Sequence, residues 1–91
     1  MWELIWSTQF KKDLKRFLND KEKMDLLDKI LVSLSSTGTV PREFRPHPLR
    51  GNWANHMECH IKGDFLLIWY DKIANKITLS RIGSHSELFG K

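Results

Sequence analysis

The chain contains one cysteine, Cys59, in 91 residues. No intramolecular disulfide is therefore open to it, and no second cysteine completes a CxxC metal or redox motif. Its start, Met1-Trp2-Glu3-Leu4-Ile5-Trp6, turns polar at once, with neither a basic n-region nor an apolar run long enough for a signal or a membrane span. This reads as a cytoplasmic protein that does not enter membranes. Low-complexity tracts and internal repeats are also missing. So are a helix-turn-helix signature and a strongly basic recognition helix, which argues against a DNA-binding regulator acting alone.

What is there is an ordinary globular composition, 41% hydrophobic and 29% charged, which excludes intrinsic disorder. Residues 1–91 make one domain, and at this size about two thirds of the unfolded surface can be buried. The net charge of +4 favours polyanion partners. It is uneven: seven basic and six acidic residues run through Val40, eight and five follow from Pro41, and all four histidines lie in that second part. The N-terminal part reads as scaffold and the remainder as the surface for chemistry.

Trp2 to Trp6 reads as a first strand feeding a helix through a hydroxyl cap, Thr8 better placed than Ser7. Phe10, Leu14, Phe17 and Leu18 share one helical face, and from about Lys21 a second helix repeats the pattern through Met24, Leu27, Ile30, Leu31 and Leu34. Asp13, Asp20, Glu22, Asp25 and Asp28 interrupt the lysines, so this helical hairpin presents a solvated face rather than a nucleic-acid stripe. From Gly38 to Gly51 three prolines forbid regular helix, and the extended loop carries Arg42, Arg45, His47 and Arg50. Three strands follow. Met57, Cys59 and Ile61 alternate with Glu58, His60 and Lys62, Phe65 to Tyr70 suits a central strand, and a turn through Asn75 leads into Ile77 to Ile82. The fold class is α+β: an N-terminal strand and helical hairpin packed on a small antiparallel sheet of about four strands, with a short C-terminal helical turn. One sheet face meets the hairpin. The other carries His60 and lies near Asp64, Arg81 and His85.

Arg81-Ile82-Gly83-Ser84-His85-Ser86-Glu87-Leu88-Phe89 ends the last strand. Ser84 and Glu87 fit a capping box, which sets His85 in a first helical turn beside amide donors that suit an anion. The bland reading is a strand-end cation, an ordinary cap and an apolar plug. Alone, the nine residues favour that one.

Together with His47-Pro48-Leu49-Arg50-Gly51-Asn52-Trp53, Glu58-Cys59-His60 and Asp64, however, they resemble the YafQ branch of the RelE/ParE toxin superfamily, over essentially the whole chain. The resemblance implies a RelE-like fold and a toxin of a type II toxin-antitoxin module that cleaves translated messenger RNA in the ribosomal A site. It also implies a cognate antitoxin that silences it, with operator DNA bound only through their complex. Carried over residue by residue, the family's histidines are His47, His60 and His85, its aspartate Asp64, its arginine Arg81 and its terminal aromatic Phe89. One departure is Phe65, where relatives can carry tryptophan. His56 matches no motif position and reads as a surface residue.

The chemistry stands without the family. RNA carries its own nucleophile, the 2′-hydroxyl, so a protein need supply only a base, an acid and positive charge, with no metal or cofactor. Histidine, with a reference pKa of about 6.5, serves at either end of the proton transfer. His85 is the principal candidate, His60 and His47 assist, Asp64 orients or tunes a neighbour and Arg81 stabilises phosphoryl charge. Which histidine is acid and which base stays open. Phe89, Arg50, Arg45, Phe65 and Lys62 are the candidate RNA-binding residues, and for Phe89 a core plug competes equally with a base stack. A zinc or manganese site from His47, His60, His85 and Asp64 is the rival arrangement, though none shows compact ligand spacing. The alternative function is a ParE-like toxin that binds and inhibits DNA gyrase without catalysis.

Overall fold

The computed structural model describes residues 1–90. β1, Glu3–Trp6, leads into α1, Thr8–Leu14, which tightens into a 3-10 turn at Lys15–Phe17 before α2, Lys21–Thr37. After the long connection come β2, His47–Pro48, then β3, His56–Lys62, β4, Phe65–Ile73, β5, Lys76–Ser84, and α3, His85–Phe89. The sheet has five strands in the order β1-β5-β4-β3-β2, and β1 runs parallel to β5 while the other pairs are antiparallel. The expected antiparallel sheet of about four strands is thus a mixed sheet of five. The extra strand forms inside the loop, where His47 and Pro48 pair with Glu58 and Met57. At that sheet edge proline's missing N–H costs no ladder bond.

The helix caps follow from local chemistry. Ser7, not Thr8, caps α1: its amide still pairs with Leu79 O on β5, while its Oγ accepts the Phe10 amide at 3.0 Å and donates to Ser80 O at 3.2 Å. One residue thereby ends the strand and starts the helix. Asp20 caps α2, and Gly38, at φ 75°, closes it in the left-handed region glycine adopts without strain.

Phe10 and Leu14 of α1 and Leu27, Ile30 and Leu34 of α2 pack on Cys59, Ile61, Leu67, Trp69, Ile77, Leu79 and Ile82. Each fully buried aliphatic side chain there contributes about 1.5–3 kcal/mol. Leu18, expected on the same helical face, is 57% exposed, because the 3-10 turn breaks the period that would have carried it inward. The opposite sheet face holds a smaller cluster: Leu66 and Ile68 of β4 and Leu88 of α3, with Leu49, Trp53 and Phe89 against them. Two register shifts place the polar residues. One follows His60, so that Lys62 rather than Ile61 opposes Phe65; the other leaves Ser80 unmatched between the pairs Ile68–Arg81 and Trp69–Leu79.

Candidate active site

Strand register draws the site. In one row across the second face lie His47 on β2, Glu58 on β3, Ile68 on β4 and Arg81 on β5; in the next lie His60, Leu66 and Gly83. His47 Nε2 stands 2.9 Å from Glu58 Oε1, and its Nδ1 lies 3.0 Å from Arg45 O. The His60 ring is 5.8 Å from that of His47, centre to centre. Glu58 is 5% exposed, and its second oxygen has no partner among the described residues. A buried carboxylate with an unused lone pair beside two imidazoles is costly unless it has a task. It can hold a histidine's proton, or a metal: ligand atoms of His47, Glu58 and His60 lie within 4.8 Å of one another. The compact ligand set missing from the sequence therefore exists in space, with Glu58 in place of His85 and Asp64.

The other half of the site is α3. Ser84 Oγ accepts the Glu87 amide at 3.2 Å and Glu87 Oε1 accepts the Ser84 amide at 2.7 Å, so the expected capping box forms. That Ser84 bond, with the nearby Arg16 charge at 3.1 Å, holds the Glu87 carboxyl below its usual range. The amide of His85, however, is not free for an anion, because Asp64 Oδ1 accepts it at 3.2 Å across the β3–β4 turn. Asp64 thus fixes the backbone beneath His85, a positioning task. His85 is exposed, its ring 4.8 Å from that of Phe89, which in turn meets Trp53 at 5.9 Å. Leu88 is the apolar plug, and Phe89 stays half-buried with its ring beside the histidine.

Other expected residues move elsewhere. Arg81 gives Asp13 two hydrogen bonds, from Nε at 2.7 Å and Nη2 at 3.2 Å. Asp13, read as part of a solvated face, is 4% exposed and also accepts the Ile82 amide at 3.1 Å. Burial pushes its carboxyl up, but the Arg81, Gln9 and Ile82 hydrogen bonds and the Arg81 charge outweigh that and hold it below the usual range. Phe65 is a core residue, not an RNA contact: it is 4% exposed, with its ring 4.6 Å from Phe17. Lys62 is turned to the same side by the register shift and pairs with Glu22 of α2. Arg45 and Arg50 are exposed on the loop. His56 is half-buried against Trp53 and Tyr70, not a free surface residue. Cys59, behind the site, is inert: burial, then the Glu58 carboxylate, push its thiol up to about 12.

Residues 2–90 match the family described as the bacterial toxin of type II toxin-antitoxin system, YafQ. The chain belongs to the YafQ toxin family. The mRNA interferase toxin YafQ of Escherichia coli K12 is 30% identical over 90 residues, covering 97% of this chain and 96% of that protein. Among solved structures, a metal-bound toxin from Helicobacter pylori superposes with a TM-score of 0.85 at 37% identity, covering 98% and 100% of the two chains. The toxin of the E. coli DinJ-YafQ toxin-antitoxin complex does so at 0.83 and 28%, covering 98% of each. Membership of this YafQ family agrees with the resemblance carried by the three sequence blocks. Two features of the candidate site in this YafQ-family chain were not expected from the sequence. Glu58 had a signal, two residues before His60 on a polar strand face, whereas Asp13 sat unmarked within a charged helix.

Proposed function

We propose that this chain is an mRNA interferase that cuts translated messenger RNA in the ribosomal A site, and that its chemistry is attack of the RNA's own 2′-hydroxyl. The observation that carries the reading is the split of the protonable groups. His60, with His47 and Glu58, lies on one side of the second face, and His85 beyond Gly83 lies on the other. The Cα atoms of His60 and Gly83 are two strand spacings, roughly 10 Å, apart. A phosphodiester over Leu66 and Gly83 then has a base on one flank and an acid on the other, as in-line displacement requires. The 2′-oxygen gives its proton to the base and bonds to phosphorus; the P–O5′ bond breaks, and O5′ takes a proton from the acid. A cyclic 2′,3′-phosphate and a 5′-hydroxyl result. His85, exposed at the open end, supports the role of principal acid or base, and Phe89 beside it can stack on an unpaired base.

The similarity to the toxin of the DinJ-YafQ complex supports a cognate antitoxin as partner, and the positive C-terminal part of the chain suits an acidic segment that folds over the site. Among the described residues no helix is long and apolar enough to cross a membrane, and the ribosome puts the site of action in the cytoplasm. The test is to add the purified chain, or its His85→Ala variant, to a translating extract and map cuts by primer extension. Replacement of His85 should lower cleavage by about 100-fold or more with the thermal melt unchanged. Near-normal cleavage removes His85 from the mechanism. Undisturbed translation turns the reading toward a gyrase-binding toxin.

A further inference from the structure

The aromatic rings of the second face continue well past the cleavage centre. From His85 to Phe89 the ring centres are 4.8 Å apart, from Phe89 to Trp53 5.9 Å, from Trp53 to His56 5.1 Å and from His56 to Tyr70 5.0 Å. The run ends at an open cavity of about 430 Å³ whose lining includes Pro48, His56, Met57, Tyr70, Asp71 and Lys72. None of the six is among the candidate catalytic residues. The walls are held in place: His56 Nδ1 lies 3.1 Å from Ala54 O, and the Asp71 amide donates to Asn55 O at 3.2 Å, tying the entry of β3 to β4.

We propose that this cavity is a subsite for an unpaired base of the same RNA strand, with the ring run as the strand's path from the scissile phosphate. The proposal deepens the ribonuclease reading and rests on it. A row of half-buried rings leading away from a phosphate site suits successive bases, each of which has a π-face to stack. The cavity falls in the size range of small-ligand sites and joins ring faces to one carboxylate and one ammonium. That mixture fits a base, flat and apolar on its faces and hydrogen-bonding at its edge, better than it fits an aliphatic peptide. Lys72 Nζ donates to Gly38 O at 3.0 Å and pairs with Asp71 Oδ1 at 3.3 Å, which sets ammonium and carboxylate side by side at the cavity's rim, where the hydrogen-bonding edge of a base would meet both.

The experiment uses single-stranded 2′-O-methyl oligoribonucleotides of graded length, which lack the attacking hydroxyl, and reads their affinity for the full chain by fluorescence anisotropy. Affinity should rise with length in the unaltered chain. In Tyr70→Ala the loss should grow with length to about ten-fold; Tyr70→Phe, which keeps the ring, should restore binding, and His56→Ala should repeat the effect without touching the same side chain. A loss of equal size at every length, or none at any length, would overturn the subsite. So would a Tyr70→Ala chain that binds every oligonucleotide normally but fails to bind its antitoxin, which would make the cavity a protein contact. Failure of the ribonuclease reading would appear separately, as intact message in the extract with the unaltered chain.

Discussion

Replacing Asp13 with asparagine tests the most buried electrostatic feature of the molecule. Each carboxylate oxygen of Asp13 faces two donors: Oδ2 accepts Arg81 Nε and the Ile82 amide, Oδ1 accepts Arg81 Nη2 and Gln9 Nε2. An asparagine must turn its NH₂ toward one of those pairs, so either orientation opposes donor to donor. The near-isosteric change should therefore be no gentler than Asp13→Ala. Removing one partner of a buried ion pair costs about 3–5 kcal/mol, and leaving a buried amide unpaired about 1–3. Arg81, a quarter exposed, can recover some hydration, which brings the net loss to about 3 kcal/mol. For a domain of this size that lowers the melting temperature by roughly 12–24 °C.

The pH dependence has a definite sign. The folded Asp13 carboxyl lies below its usual range, so its contribution is complete above the unfolded value of about 3.9 and is lost as pH falls through the folded one. The unaltered chain should lose stability below about pH 4 more steeply than Asp13→Asn. Urea titrations at neutral pH and at a series of acid pH values measure both effects. A variant that melts within about 3 °C of the unaltered chain, or that keeps its acid slope, would refute the account of Asp13 as the anchor of Arg81.

Cys59 should react with a thiol reagent at neutral pH only after unfolding, since burial and the Glu58 carboxylate hold its thiol near 12; rapid labelling of the folded chain would count against the packing behind β3. Glu58→Gln keeps the shape but not the charge, and should reduce ribosome-dependent cleavage about 10–100-fold with a small change in melting temperature; unchanged cleavage would make Glu58 structural only. Excess chelator should leave cleavage intact, while added zinc or copper, held by His47, Glu58 and His60, should suppress it by occupying nitrogens needed for proton transfer. Loss of activity in chelator would reverse that assignment.

The helical hairpin, the three-strand meander and the capping box were legible because each rests on neighbours in sequence: the periodic Leu27, Ile30 and Leu34, the alternating Met57, Cys59 and Ile61, and the Ser84–Glu87 spacing. What escaped depends on contacts made across the chain. β2 exists only because His47 finds Glu58 eleven residues on. Lys62 was placed with His60 on strict alternation, which the register shift after His60 breaks, and Phe65 was assigned to RNA by its family position, whereas here its ring is buried against Phe17. Asp13 looked solvated because its partner lies 68 residues away on β5. For the histidines the family's motif blocks named His47, His60 and His85, yet not that Glu58 holds the first while Asp64 holds the backbone of the third.

The Asp13–Arg81 pair also bears on why such a site would need the ribosome. Arg81 lies in the row that a phosphodiester would cross, but two of its donors are already committed to a buried carboxylate, whose charge offsets its own. Arg45 and Arg50 lie exposed on the connection that bears β2, where a flexible cation binds phosphate with little net energy in water. Lys62 is engaged with α2. The second face thus carries groups to move protons and rings to stack bases, and comparatively little free positive charge with which to capture a strand from solution. On the proposed function, orientation and much of the affinity would then come from whatever presents the RNA, and a site poor in its own strand-binding charge would spare free transcripts while cutting one delivered in the right pose. Adding charge at the rim, for example Ser86→Arg beside His85, should raise cleavage of free RNA more than cleavage on the ribosome. Equal gains in the two assays would show that presentation by the ribosome is not what the site lacks.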